Sequence, residues 1–134
     1  MKKIIPLFVI LVLIFSNCTS DEDNSDNSSI QINPPNWIQG KWLLEGSLAG
    51  ESGWKFTNND FIIIQANTEI SQRKQLQLFS NNGQDVSASD TSSDDSYSIR
   101  INTIGGQSVT YGFTKISENE ISWDASKTII YIKN

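Results

Sequence analysis

Residues 96–102 read Ser-Tyr-Ser-Ile-Arg-Ile-Asn, and this alternation constrains the fold more than any other feature of the chain. Tyr97, Ile99 and Ile101 fall on one side, Ser98 and Arg100 on the other. That is the period of a half-buried β-strand, not of a helix. The same period recurs between turn residues. Residues 40–47 carry Trp42 and Leu44 on one face, and residues 53–57 carry Trp54 and Phe56. Residues 58–60, Asn-Asn-Asp, turn the chain into an apolar strand over 61–65. Gly105-Gly106 is a hairpin signal, and Val109, Tyr111 and Phe113 alternate after it. Residues 117–119 turn the chain again, Ile121 and Trp123 make a short strand, and residues 128–133 make the last. Turns at a spacing of about 8–12 residues describe an antiparallel meander.

Two segments depart from the pattern. In residues 71–83, Ser71 suits a helix N-cap and Asn82-Gly83 a stop, with good helix formers between them. Leu76 and Phe79 would share one side of that helix. Leu76 and Leu78 also alternate as in a strand; the short helix is the reading adopted. Residues 87–96 have no apolar anchor and read as a loop. An open meander leaves two sheet edges unpaired. Closing about seven or eight strands into a barrel removes them, and a small two-sheet sandwich is the other solution. The expected fold is all-β with one short helix, a barrel-forming meander over residues 34–134.

Ahead of Pro34-Pro35 the composition changes twice. Lys2 and Lys3 precede an almost wholly apolar run over residues 4–15, the build of a secretory signal peptide. The run falls short of the about 20 apolar residues that a bilayer span needs. It stops near Cys18, the only cysteine in the chain. Residues 15–18, Phe-Ser-Asn-Cys, resemble the lipobox of bacterial lipoproteins in the apolar Phe15 and the small Ser16, while Asn17 departs from the usual Gly or Ala. The resemblance implies that residues 1–17 are removed and that Cys18 carries acyl chains. A free thiol or an intermolecular disulfide is the alternative. Each buried methylene of such a chain contributes about 0.8 kcal/mol, so one chain holds marginally and two hold firmly.

Residues 19–29 hold Asp21, Glu22, Asp23 and Asp26 among Ser and Asn, with nothing apolar to bury. Such a run cannot offset its ordering entropy, which predicts a disordered acidic tether within residues 18–33. Asp21, Glu22 and Asp23 look like the surface-export signal of Bacteroidetes lipoproteins. That likeness implies the outer membrane, with the domain on the cell surface; a plain spacer facing the periplasm is the alternative.

The chain has no histidine, which excludes Ser–His and Cys–His catalysis and removes the commonest metal ligand. With Cys18 acylated no thiol remains, so a zinc site of nitrogen and sulfur ligands is excluded too. No glycine-rich phosphate loop is present. Loss of Lys2 and Lys3 takes the net charge from −5 to −7, which argues against nucleic acid. Carboxylate chemistry would need two carboxyls facing each other across a bond. Glu45, Glu51, Asp60, Glu118, Glu120 and Asp124 all fall near turns or strand ends and read as solvated surface charge. The expectation is a protein with no catalytic activity, no cofactor and no metal.

Gly40-Lys41-Trp42 matches the G-x-W near the first strand of lipocalins, and Trp37 suits the short helical turn ahead of it. Residues 34–134 as a whole resemble the small lipocalin-like domains of Bacteroidetes lipoproteins. The domain is shorter than a typical lipocalin, which leaves little room for a cavity. It also lacks a late arginine to stack on the motif tryptophan; Lys127 and Lys133 are the late cations. Physically, Trp42 suits a plug at one barrel end, its N–H bonded to backbone. Among the eleven aromatics beyond residue 17, Trp54, Phe56, Tyr97, Tyr111, Phe113 and Trp123 are the candidates to line a cavity. They could instead fill the core or form a stacking platform for sugars. The resemblance implies binding of a small apolar or amphipathic ligand. The competing expectation is a solid barrel acting as an accessory subunit that meets protein or glycan, and a filled interior favours it.

Overall fold

The computed structural model describes residues 29–134. Cys18, Asp21, Glu22, Asp23 and the segment over residues 1–17 lie outside the described residues. Nine strands form one antiparallel sheet in the spatial order β4-β3-β2-β1-β9-β8-β7-β6-β5. They are β1 Gly40–Leu44, β2 Gly53–Phe56, β3 Phe61–Gln65, β4 Thr68–Ser71, β5 Ser87–Ser92, β6 Ser96–Asn102, β7 Ser108–Ser117, β8 Glu120–Trp123 and β9 Ser126–Lys133, with helix α1 Gln72–Asn81 between β4 and β5. The class is all-β and the sheet curls into a half-barrel, with first and last strands paired through Trp42↔Lys133 and Leu44↔Tyr131.

The count is nine strands rather than seven or eight because β4 and β5 also form. β4 folds back on β3 through a two-residue turn, Ala66-Asn67, with both φ angles positive at 50° and 67°. That geometry matches strand twist but needs residues that accept the left-handed region. Asn67 is held there from outside the hairpin: its N–H donates to the Glu51 carbonyl and its Oδ1 accepts from the Glu51 N–H. β5 occupies residues read from sequence as a loop. Its ladder with β6 runs from Ser87↔Asn102 to Ser92↔Tyr97, and only Ala88 is buried on it.

The sheet does not close by strand pairing, since β4 and β5 remain its edges. Helix α1 and a strap over residues 29–38 occupy the breach. Ile30 bridges Ala88 in parallel, the Gln31 N–H donates to the Ala88 carbonyl, and the Ala88 N–H donates to that of Ser29. Ile30, Ile32 and Ile38 are buried in the main core. The folded unit therefore begins upstream of Pro34, where the tether was expected to continue.

Helix α1 forms as expected. Ser71 Oγ accepts from the Lys74 N–H at 3.1 Å and donates to Asp60, whose other oxygen takes the Arg73 N–H at 3.0 Å. Asp60 is thus a buried helix cap and not the solvated charge its turn position suggested. At the other end Gly83, at φ +79°, stops the helix: its N–H donates to the Ser80 carbonyl and the Gln84 N–H to that of Phe79. Leu76 and Phe79 pack into the core, as their spacing implied. Arg73 ties helix to strap, with Nε–H donated to the Asn59 carbonyl and a guanidinium N–H to that of Ile32.

The alternation of strand direction defines two ends. Gly40, Phe56, Phe61, Ser92, Ser96, Glu120 and Lys133 stand at the plug end; Leu44, Gly53, Gln65, Ser87, Asn102, Ser108 and Ser126 stand at the mouth end.

Candidate functional site

Trp42 closes the plug end. It is wholly buried, and its Nε1–H donates to the Ile38 carbonyl at 2.6 Å, so the plug also anchors the strap. Lys133 Nζ lies 5.1 Å from the centroid of its ring, within cation–π range. The late cation over the G-x-W tryptophan is therefore Lys133, brought there by the β1–β9 register, while Lys127 is exposed. Trp37 lies in the turn ahead of β1 and donates its own N–H to the Ser93 carbonyl at 2.9 Å.

The six candidate cavity residues are brought together, and they pack on one another. Phe113 lies 5.1 Å from Phe56 and 5.2 Å from Trp54, ring centroid to centroid. Phe56 meets Tyr97 edge-on at 5.7 Å, and Trp54 meets Tyr111 at 5.8 Å and Trp123 at 5.5 Å. Phe61, not among the candidates, fills the space between Trp54, Phe56 and Tyr111. Centroid distances of about 4.5–7 Å are those of packed aromatic pairs. These rings fill the interior rather than line a hollow in it.

The hydroxyl of Tyr97 does not face a cavity either. It donates to Asp90 Oδ2 at 3.0 Å, and the same oxygen takes the Asn33 N–H of the strap. Burial, helped by the Asp90 carboxylate, holds the Tyr97 phenol far above its ordinary value of 10. The folded chain then keeps this proton where the unfolded chain has lost it. Above pH 10 the unfolded state binds fewer protons, and stability must fall as pH rises. Burial also raises Tyr111 and Tyr131, so the wild type should lose stability steadily from about pH 10 upward. Tyr97→Phe should make that decline shallower, read as urea midpoints across the alkaline range. Parallel declines in the two proteins would contradict this role for Tyr97.

At the mouth end the ring cluster reaches a shallow cleft of about 280 Å³, walled by Leu44, Trp54, Ile63, Trp123 and Tyr131 with Ser52 and Gln65 at its edge. Two buried side-chain donors there, Trp54 Nε1–H and Trp123 Nε1–H, have no hydrogen-bond partner. The Trp54 indole N–H on the Tyr131 side of the cleft opposes the rise that burial gives the Tyr131 pKa. Trp54 and Trp123 are thus the only two of the six candidates on this cleft. Tyr131 is the wall residue that sequence reasoning passed over; its signal was the alternation of Ile129, Tyr131 and Lys133 along β9. A larger depression, about 480 Å³, lies between the α1–β5 and β6–β7 loops and is lined by polar residues such as Gln84, Asp85 and Asn102.

Four of the five remaining candidate carboxylates have structural partners. Glu51 pairs with Lys41, and Lys115 holds the Glu118 carboxyl below its usual range through a hydrogen bond. Glu120 accepts from the Ser117 hydroxyl and Asp124 from that of Thr114, while Glu45 is exposed. Among the described residues no group of three or more acidic or thiol side chains is placed to hold a metal ion. Comparison with protein-family models, with curated proteins and with solved structures finds no match.

Proposed function

We propose that this chain is a non-catalytic lipoprotein of a bacterial envelope, tied to the membrane by acyl chains on Cys18. Its domain works through its outer surface, as an accessory module that meets protein or glycan. The observation that supports the second half is the filled interior: Trp54, Phe56, Phe61, Tyr97 and Phe113 occupy the volume a carried ligand would need. The run from residue 4 to Cys18 and the acidic residues after it support the first half. Asp21, Glu22 and Asp23 direct the domain to the cell surface in this reading.

Intact mass spectrometry of the chain extracted from membranes tests the anchor. The expected species is residues 18–134 plus more than one acyl chain, and Cys18→Ala should abolish both the lipid and the processing. A species that retains residues 1–17 with a bare thiol would contradict the reading. Replacing Asp21, Glu22 and Asp23 by Ala should protect the domain from protease added to whole cells; undiminished digestion would contradict the surface address.

A further inference from the structure

We propose that the mouth end of the barrel rests on the bilayer that holds the acylated chain, with Leu48, Ile104 and Val109 as the side chains that enter its interface. The inference rests on the anchor reading above and goes beyond it, because an anchor alone leaves the orientation of the domain open.

The first observation is where the chain enters the fold. The Ser29 carbonyl accepts the Ala88 N–H and its hydroxyl donates to the Val86 carbonyl, which places residue 29 beside the start of β5. The start of β5 belongs to the mouth end, since Ser87 pairs with Asn102 there. The strap then runs parallel to β5 toward the plug end, where Trp37 meets Ser93. The chain that leads back to Cys18 therefore leaves from the mouth end. Eleven residue steps separate Cys18 from Ser29. They span at most about 40 Å. That reach keeps the attachment point, at the mouth end, within about 40 Å of the membrane, and the exposed side chains decide which end touches it.

The second observation is independent of the first. Five large apolar side chains stay exposed among the described residues: Leu48, Leu78, Ile104, Val109 and Ile116. Three of the five lie at the mouth end: Leu48 in the β1–β2 loop, Ile104 in the β6–β7 turn and Val109 next to it at the start of β7. Leu48 is fully exposed at a loop tip, where it contributes nothing to folding. Aliphatic side chains on separate loops at one end of a barrel suit a flat apolar partner better than a grooved one. The bilayer to which this end is tethered is such a surface. Docking of this kind leaves the plug end and the outer face of the sheet free for other partners.

The test uses the full lipidated protein in vesicles of phosphatidylethanolamine and phosphatidylcholine. A polarity-sensitive thiol dye is attached to Leu48→Cys, Ile104→Cys and Ile116→Cys. Each site is exposed, so the fold is undisturbed. Wild-type protein should take no dye, because the sulfur of Cys18 is alkylated. The labels at 48 and 104 should shift to the blue on reconstitution and be quenched by lipid-borne quenchers, and the label at 116 should do neither. Equal, water-like emission from all three labels would overturn docking while leaving the anchor intact. Quenching at 116 alone would overturn the orientation. Dye on wild-type Cys18 would overturn the anchor and the docking with it.

Discussion

Trp42→Ala should destabilise the domain by about 3–5 kcal/mol, the usual cost of emptying a fully buried tryptophan site. Domains of this size hold only about 5–15 kcal/mol, so much of the variant should be unfolded under mild stress. Three separate losses add up at this residue. The ring leaves a void at the plug end, where it is wholly buried. The Ile38 carbonyl loses the donor that fixes the strap. Lys133 loses the ring beneath it. Graded variants separate these losses. Trp42→Phe keeps most of the buried area but drops the hydrogen bond, and should cost about 1–2 kcal/mol. Lys133→Met removes only the cation, worth about 1 kcal/mol or less at an exposed site. Urea unfolding reads all three. A Trp42→Ala variant within about 1 kcal/mol of wild type would contradict the plug assignment.

Gly53→Ala should be as damaging, for a reason that lies in backbone and not in side chains. A Cβ at position 53 would sit 2.0 Å from the carbonyl oxygen of Trp42. Gly53 also stands at φ +155°, paired with Leu43 on one side and Ile64 on the other. Neither neighbouring strand can move away without breaking its own ladder. Overpacking of this kind costs about 1–3 kcal/mol, and an unfavourable φ adds about 1–3 kcal/mol more. Gly83→Ala supplies the comparison. Its φ of +79° is also unfavourable, but a methyl there meets nothing within 4 Å. It should lose only about 1–2 kcal/mol. Equal effects at the two glycines would show that contact with Trp42 is not what constrains position 53.

Legibility in the sequence followed how much of each element's stability came from its own inward residues. Strands β6 and β7 could be read because Tyr97, Ile99, Ile101 and Phe113 carry the period themselves. Helix α1 could be read because Ser71, Asn82 and Gly83 encode both its ends locally. Strand β5 could not. Its buried residue is Ala88, Asp90 serves Tyr97 and Asn33, and it is a strand because β6 and the strap lie beside it. β4 likewise depends on Asn67 being held by Glu51, a contact distant in sequence. The strap did have a readable sign in Ile30-Gln31-Ile32, whose alternation was masked by the acidic run just ahead of it. At the site, burial of Trp54, Phe56, Tyr97 and Phe113 was legible, while Tyr111 and Trp123 stay half-buried against them. The mutual packing of the rings was not legible, because ring-on-ring contact depends on cross-strand register such as Phe56↔Phe61 and on contacts between unpaired strands such as Phe56 with Tyr97. The two partnerless indole N–H groups at the mouth could not be foreseen either, since Trp37 and Trp42 show that a tryptophan here can equally find a carbonyl.

Crystals held under xenon pressure test the filled interior most directly, since xenon enters dry apolar voids. The wild type should show no xenon among Phe56, Phe61 and Phe113, while Phe113→Ala, which opens a void there, should show one site. A xenon atom among those three rings in the wild type would reveal interior space and restore the reading of the barrel as a carrier.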